Sequence, residues 1–255
     1  MRVITLNVNG IRSAAAKGLF PWLASQDADV ICLQEVRCTE EQLTGHDVRL
    51  PGYQAAYHSA VRPGYAGVAI FSREAPERLV RGIGVKEFDQ EGRYLEAQFP
   101  HLAVVSLYLP SGSSGPHRQA SKNRFLKAFL PHLRALRRRR RPYLLCGDWN
   151  IAHRPIDLKN WRANQKNSGF LPHERAWLDE LFDELGYHDA FRHVDPAPER
   201  YTWWSNRGQA WANNVGWRID YQIASPKLAG KARRAEIYKA SRFSDHAPLI
   251  MDYEF

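Results

Sequence analysis

YLLCGDWN, Tyr143 to Asn150, is an apolar run that ends abruptly in Gly, Asp, Trp and Asn. Its length and composition read as a strand driven through a core. A core strand that finishes with a carboxylate and an amide needs a reason, because a buried charge without a partner is costly.

Strand patterns recur on both sides of it, at RVITLNV (2–8), DVICLQE (29–35), YQAAYHS (53–59), GVAIFS (67–72), RYLEAQF (93–99), LAVVSLYL (102–109), WRIDYQIA (217–224) and PLIMDYEF (248–255). Helical patterns fall at GLFPWLASQ (18–26), RQASKNRFLKAFLPHLRALRRR (118–139) and LPHERAWLDELFDELG (171–186), the last closed by Gly186 as a C-cap. Strand pairs joined by short turns alternate with strand-helix-strand units. That mixture predicts an α/β fold of two sheets packed face to face with helices outside, rather than one doubly wound parallel sheet. No linker, low-complexity tract or repeat divides the 255 residues, so one domain spanning 1–255 is expected.

Charge narrows the partners. Lys plus Arg number 36 against 27 Asp plus Glu, a net charge of +9 that attracts polyanions, nucleic acid first and an anionic membrane surface second. The three cysteines are odd in number, and Cys32 and Cys146 lie inside strand-like runs, which fits a reducing cytoplasm better than a disulfide framework. No apolar stretch approaches a signal sequence or a membrane span. The run Arg137–Arg141 reads first as a solvated helix end favoured by the helix dipole. With no exposed apolar stripe or heptad, a monomer is expected.

The other strand ends supply the reason sought for GDWN. Asn7 and Asn9 close the first strand, Glu35 follows the second, Tyr108 ends the sixth, Asp220 lies in WRIDY, and Asp245 and His246 introduce the last. The period-2 pleat puts Asn7 with Asn9, and Asp148 with Asn150, on common faces. Singly, each has an ordinary structural explanation: an Asn forms turns, an Asp caps one, a Tyr lines a rim. Together they do not, since crowded carboxylates repel unless a cation or a protonated partner compensates them. Glu35, Asp148, Asp245 and the amide oxygens of Asn7 and Asn150, with His246 beside them, form a hard ligand set, and no Cys/His cluster has zinc spacing. Mg²⁺ is the expected ion, with Mn²⁺ as a substitute. A hard cation, a His beside an Asp and a basic exterior point to phosphate ester hydrolysis, with His246 on the scissile phosphate and Asp220 orienting it.

LNVNG, LQEV, LYLPSG, GDWNIAH, NSGFLPHERAW, NVGWRIDYQIAS and FSDHAPL follow one another along the whole chain. In that order they resemble the exonuclease III family of apurinic/apyrimidinic endonucleases, within the endonuclease/exonuclease/phosphatase superfamily. NVGWRIDY and NSGFLPHERAW are its most specific parts; GDWN and SDH alone fit the wider superfamily. The resemblance implies a four-layered α/β sandwich of two mixed sheets flanked by helices. It also implies roles: Glu35 as principal Mg²⁺ ligand with Asn7 and Asp245 near the same ion, Asp148 activating the attacking water, and Asn150 orienting it or holding the phosphate. Tyr108 would touch the phosphate, and Asp220 would pair with a phosphate-binding His246. Where some members carry an Asp, this chain has Asn9, which puts a second strong metal position in doubt.

Trp203 and Trp217 resemble the walls of a pocket for a flipped, base-free sugar, while Trp204 is expected in the core. Arg207 is the candidate wedge, Lys166 a contact beside the cleft, and Lys122 and Arg118 candidate contacts to backbone phosphates, or else a solvated helix face. The expected partner is duplex DNA with abasic sites or blocked 3′ ends. The alternatives are a superfamily phosphoesterase acting on a small phosphate ester or phospholipid headgroup, and a non-catalytic damaged-DNA-binding module.

Overall fold

The computed structural model describes every residue except 44, 46 and 255, so Phe255, the end of the expected last strand, lies outside the described residues. In chain order the strands are β1 (Arg2–Asn7), β2 (Val30–Gln34), β3 (Gln54–His58), β4 (Val68–Ser72), β5 (Arg78–Arg81), β6 (Tyr94–Gln98) and β7 (Ala103–Tyr108). They continue as β8 (Tyr143–Asp148), β9 (His188–Asp189), β10 (Trp203–Trp204), β11 (Gly216–Trp217), β12 (Asp220–Ala224), β13 (Ala232–Ile237) and β14 (Leu249–Tyr253). The helices are α1 (Ile11–Ala16), α2 (Leu19–Ala24), α3 (Lys86–Asp89), α4 (Pro116–Arg138), α5 (Trp161–Asn164), α6 (Pro172–Asp179), α7 (Ala190–Val194) and α8 (Pro226–Ala229).

Two six-stranded sheets result, ordered β13-β14-β1-β2-β4-β3 and β5-β6-β7-β8-β12-β9, with β10-β11 as a separate ribbon. Each sheet is mixed: β1 runs parallel to β2, and β7 parallel to β8, while the remaining main pairings are antiparallel. Alternate side chains of the central strands enter different cores. Val3, Val30 and Cys32 meet Val104, Leu144 and Cys146 between the sheets. Ile4, Leu6, Ile31 and Leu33 pack outward onto Leu19, Phe20 and Leu23 of α2. Val105, Leu107 and Leu145 pack outward onto Phe125 and Phe129 of α4 and Leu178 of α6. Burial on both faces explains why these strands read as continuous apolar runs, and the layers are the sandwich expected.

The differences from the sequence reading have local causes. The strands β5 and β13 were not expected: RLVR and ARRAEI place exposed charge on sheet edges, a device that masks strand patterning. WRIDYQIA divides, with Trp217 paired to Trp203 in the ribbon and the strand proper starting at Asp220. The helix 171–186 is α-helical only to Asp179 and widens into a π turn over Glu180–Glu184, with Gly186 at φ +67 closing it. Cys32, Cys38 and Cys146 are free and buried. Among the described residues no helix is long and apolar enough to cross a membrane.

Candidate active site

Both parallel strand pairs end at the same side of the sandwich, and their C-terminal ends build one cleft of about 970 Å³. The ends of β1 and β2 contribute Asn7 and Glu35, β7 and β8 contribute Tyr108 and Asp148, and Asp245 and His246 come from the turn before β14. Register places Asp148 between Tyr108 on the parallel side and Asp220 on the antiparallel side. That close pairing depends on Gly147, where a Cβ would stand 1.9 Å from the Leu107 carbonyl oxygen.

The paired side chains share the cleft as the sequence suggested, but turns rather than the strand pleat bring them there, because β1 stops at Asn7 and β8 at Asp148. Asn9 and Asn150 lie instead in left-handed turns, at φ +47 and +52. Each turn is closed by its strand-end side chain: the Asn9 N–H donates to Asn7 Oδ1 at 2.9 Å, and the Asn150 N–H to Asp148 Oδ1 at 2.8 Å. This is the Asx-turn geometry that Asn and Asp favour. Glu35 is likewise left-handed, at φ +51, so strained backbone gathers at the cleft.

Hydrogen bonds fix what each group offers. Both amide protons of Asn150 are used, on the Leu109 carbonyl at 2.9 Å and Asp148 Oδ2 at 3.1 Å, so toward a ligand Asn150 presents only its oxygen. Asn7 Nδ2 also donates to Asp148 Oδ2, at 3.0 Å. Burial drives the Asp148 carboxyl up to about 7, against the opposing pull of the His246 charge. His246 Nδ1 lies 2.8 Å from Asp220 Oδ2, and its Nε2 lies 3.9 Å from Asp148 Oδ2. Burial alone would lower the His246 pKa, but Asp220, Asp148 and Asp245 outweigh it and raise it to about 10. The surrounding carboxylates therefore favour the charged imidazolium, with protons on both nitrogens.

Asp245 is engaged on both oxygens: Asn9 Nδ2 at 2.9 Å and Ser244 Oγ at 3.1 Å reach Oδ1, and Trp203 Nε1 reaches Oδ2 at 3.0 Å. Burial would raise its pKa, yet the His246 charge and the Asn9 and Trp203 donors hold it below the ordinary carboxylate range. Glu35 accepts from the Tyr108 phenol and, at 3.2 Å, from Arg37. Burial and the Glu35 charge push the Tyr108 pKa well up, so the phenol stays a donor. Asp148, Asp220 and His246 keep one ligand atom each within 4.8 Å of one another, and Asp220 Oδ1 has no hydrogen-bond partner.

Of the expected DNA-facing residues, Trp203, Trp217, Arg207 and Lys166 line the cleft, and Trp204 is core at 1 % exposure. Lys122 faces neither a duplex nor solvent: it is 0 % exposed, since its ammonium is drawn inward by Glu174 and the Asn150 carbonyl oxygen. Arg118 donates to the Tyr65 hydroxyl, and its guanidinium lies 5.6 Å from that ring. Two site residues escaped the sequence reading. Arg37 follows LQEV directly and lines the cleft. Arg93, 1 % exposed, lies 4.8 Å above the Tyr108 ring and donates to the Tyr108 carbonyl oxygen at 3.1 Å. Adjacency to Glu35 was an available signal for Arg37; nothing local marks Arg93.

A carboxylate-rich cleft with a fixed imidazolium, an acceptor-only amide and a protonated phenol, set at the strand ends of an α/β sandwich, is the equipment of a phosphoester hydrolase. The chain belongs to the endonuclease/exonuclease/phosphatase family, whose model matches residues 4–246. The family is one of divalent-metal-dependent nucleases, and this chain is a hydrolase of it. It is 40% identical over 251 residues to an exodeoxyribonuclease of Bacillus subtilis, covering 98% of each chain. To the DNA repair nuclease APEX1 of Danio rerio it is 37% identical, across 98% of this chain and 81% of the relative. Its structure superposes on an AP endonuclease from Archaeoglobus fulgidus with a TM-score of 0.90 at 27% identity, covering 100% of both.

Proposed function

We propose that this chain, as one catalytic domain, is a Mg²⁺-dependent DNA repair nuclease that hydrolyses the phosphodiester on the 5′ side of an abasic site in duplex DNA. The products are a 3′-hydroxyl and a 5′-deoxyribose phosphate, and the same site would clear blocked 3′ ends. The observation that carries the reading is Asp148, which is held between an acceptor-only Asn150 and the Asp220–His246 pair, in a cleft walled by Trp203 and Trp217. The relatives named for exodeoxyribonuclease and DNA repair nuclease activity support it.

The donor set suits a hard divalent ion, because Glu35, Asn7 and Asp148 offer oxygen and Glu35 already holds the Arg37 cation in place. Glu35, with Asn7 beside it, would hold the ion, which when bound neutralises charge developing on the phosphate. The remaining steps belong to the protein. Asp148 takes a proton from the attacking water as the P–O3′ bond breaks and the leaving 3′-oxygen takes its proton from solvent, and a pKa near 7 suits a general base working near neutrality. Asn150, able only to accept, aligns that water rather than donating to the phosphate. His246 donates from Nε2 to a non-bridging oxygen while Asp220 keeps the ring charged and oriented. Trp203 and Trp217, whose ring centroids are 6.4 Å apart at 79°, meet the sugar, which flips cheaply because no base stacking is lost. The protein would act as a monomer in the cytoplasm.

The test is incision of a labelled duplex with one internal abasic analogue, in Mg²⁺ and in EDTA, beside an undamaged duplex with a recessed 3′ end and a small phosphodiester. Metal-dependent cutting 5′ to the lesion is the expected result. Turnover of the small ester alone would move the assignment to a small-molecule phosphoesterase, and lesion binding with no cutting of any substrate would make this a binding module.

A further inference from the structure

Lys122 and Glu174 are both 0 % exposed, and the ammonium lies 2.6 Å from Glu174 Oε1. Burial lowers the Lys122 pKa even with Glu174 beside it, the signature of a charge that would be better hydrated. Such pairs contribute little net stability, since well-packed apolar replacements often do as well. The contacts around the pair show what it holds. Lys122 Nζ also donates to the Asn150 carbonyl oxygen at 2.8 Å, on the residue whose backbone is left-handed at φ +52. Glu174 Oε2 accepts from the Gly169 and Leu171 amides at 2.7 and 3.1 Å, and Oε1 from Gln119 Nε2 at 3.0 Å. Gly169 in turn lies so close to Asn150 and Trp217 that an added Cβ would stand 3.1 Å from the Asn150 carbonyl oxygen and 3.2 Å from the Trp217 ring.

We propose that Lys122 and Glu174 are a positioning pair for the reaction: the ammonium pins the Asn150 turn against Asp148, and the carboxylate fixes Gly169 against Trp217. One buried pair thus sets the water-activating groups and the sugar wall in register, although neither residue lines the cleft. The inference rests on the nuclease reading for its consequence in turnover, and on Asn150 itself for its structural content.

Lys122→Met/Glu174→Gln removes both charges while leaving an acceptor for the Gly169 amide, so a folded protein melting within a few degrees of the parent is expected. On the abasic duplex its kcat should fall about 10- to 100-fold with KM nearly unchanged, because the loss is of alignment rather than of substrate contact. The ¹H–¹⁵N resonances of the Asn150 side-chain amide and the Gly169 N–H should shift, a readout that needs no turnover. Parental kcat with unmoved Asn150 resonances in the folded double variant would overturn the proposal, as would a kcat loss that merely tracks the unfolded fraction. A parent protein that does not cut the duplex would instead refute the nuclease reading, leaving the resonances to decide the role of the pair.

Discussion

At the scale of single residues, the site is organised around one positive charge between carboxylates. His246 meets Asp220 directly and Asp148 at longer range, and its pKa rises to about 10. A histidine whose folded pKa exceeds its unfolded value contributes stability that is fully present below about 6.5 and is lost as pH climbs through the folded value. NMR titration should therefore find the His246 ring charged through pH 8, and in Asp220→Asn the midpoint should fall by about 2 units or more. A ring that already loses its proton near pH 6.5 in the parent would contradict the arrangement. The sequence made most of these side chains legible, because Asp, Asn and His at strand ends are unusual as a set. It could not show that Asn150 has both protons committed, that Asp245 accepts from Asn9, Ser244 and Trp203, or that Lys122 turns inward. Apart from the neighbouring Asn150–Asp148 and Ser244–Asp245 contacts, those facts depend on partners from 28 to 236 residues away in the chain.

At the scale of elements, apolar runs buried on both faces announced the central strands, while edge strands such as ARRAEI, exposed and charged, did not. The turns carrying Asn9, Glu35 and Asn150 were read as strand ends because their left-handed backbone has no periodicity to detect. The pairing of β7 with β8 is the element contact the chemistry leans on most, since it sets Tyr108 opposite Asp148. Gly147→Ala would force a methyl into the Leu107 carbonyl in that contact. We expect a loss of about 3 kcal/mol in urea unfolding, the upper range for overpacking a core, along with loss of incision in the folded fraction. Unchanged stability would mean that the two strands part more readily than their register implies.

At the scale of the whole molecule, the net charge is +9, and Arg37, Lys166 and Arg207 are exposed on the lining of the cleft that holds Glu35, Asp148 and Asp245. Binding of an abasic duplex should accordingly weaken steeply with salt, and Lys166→Ala should reduce the slope of log K against log[salt] by about 1 while weakening damaged and undamaged duplexes alike. A slope untouched by the substitution would remove Lys166 from the interface. Charge and composition pointed to a polyanion partner, in keeping with relatives named as nucleases, and the layered order of strands and helices pointed to the sandwich. The route of the duplex across the cleft was out of reach, because the loops that line it have no pattern of their own.

Asp148 as the base makes a specific demand on single-turnover incision of the abasic-analogue duplex from pH 5.5 to 9, in the parent and in Asp148→Asn. The rate should rise with pH through a single ionisation near 7 in the parent, and in Asp148→Asn it should be lower by about 10²- to 10⁴-fold and lose this limb. A folded Asp148→Asn variant that keeps the parental rate and the same acid limb would contradict it.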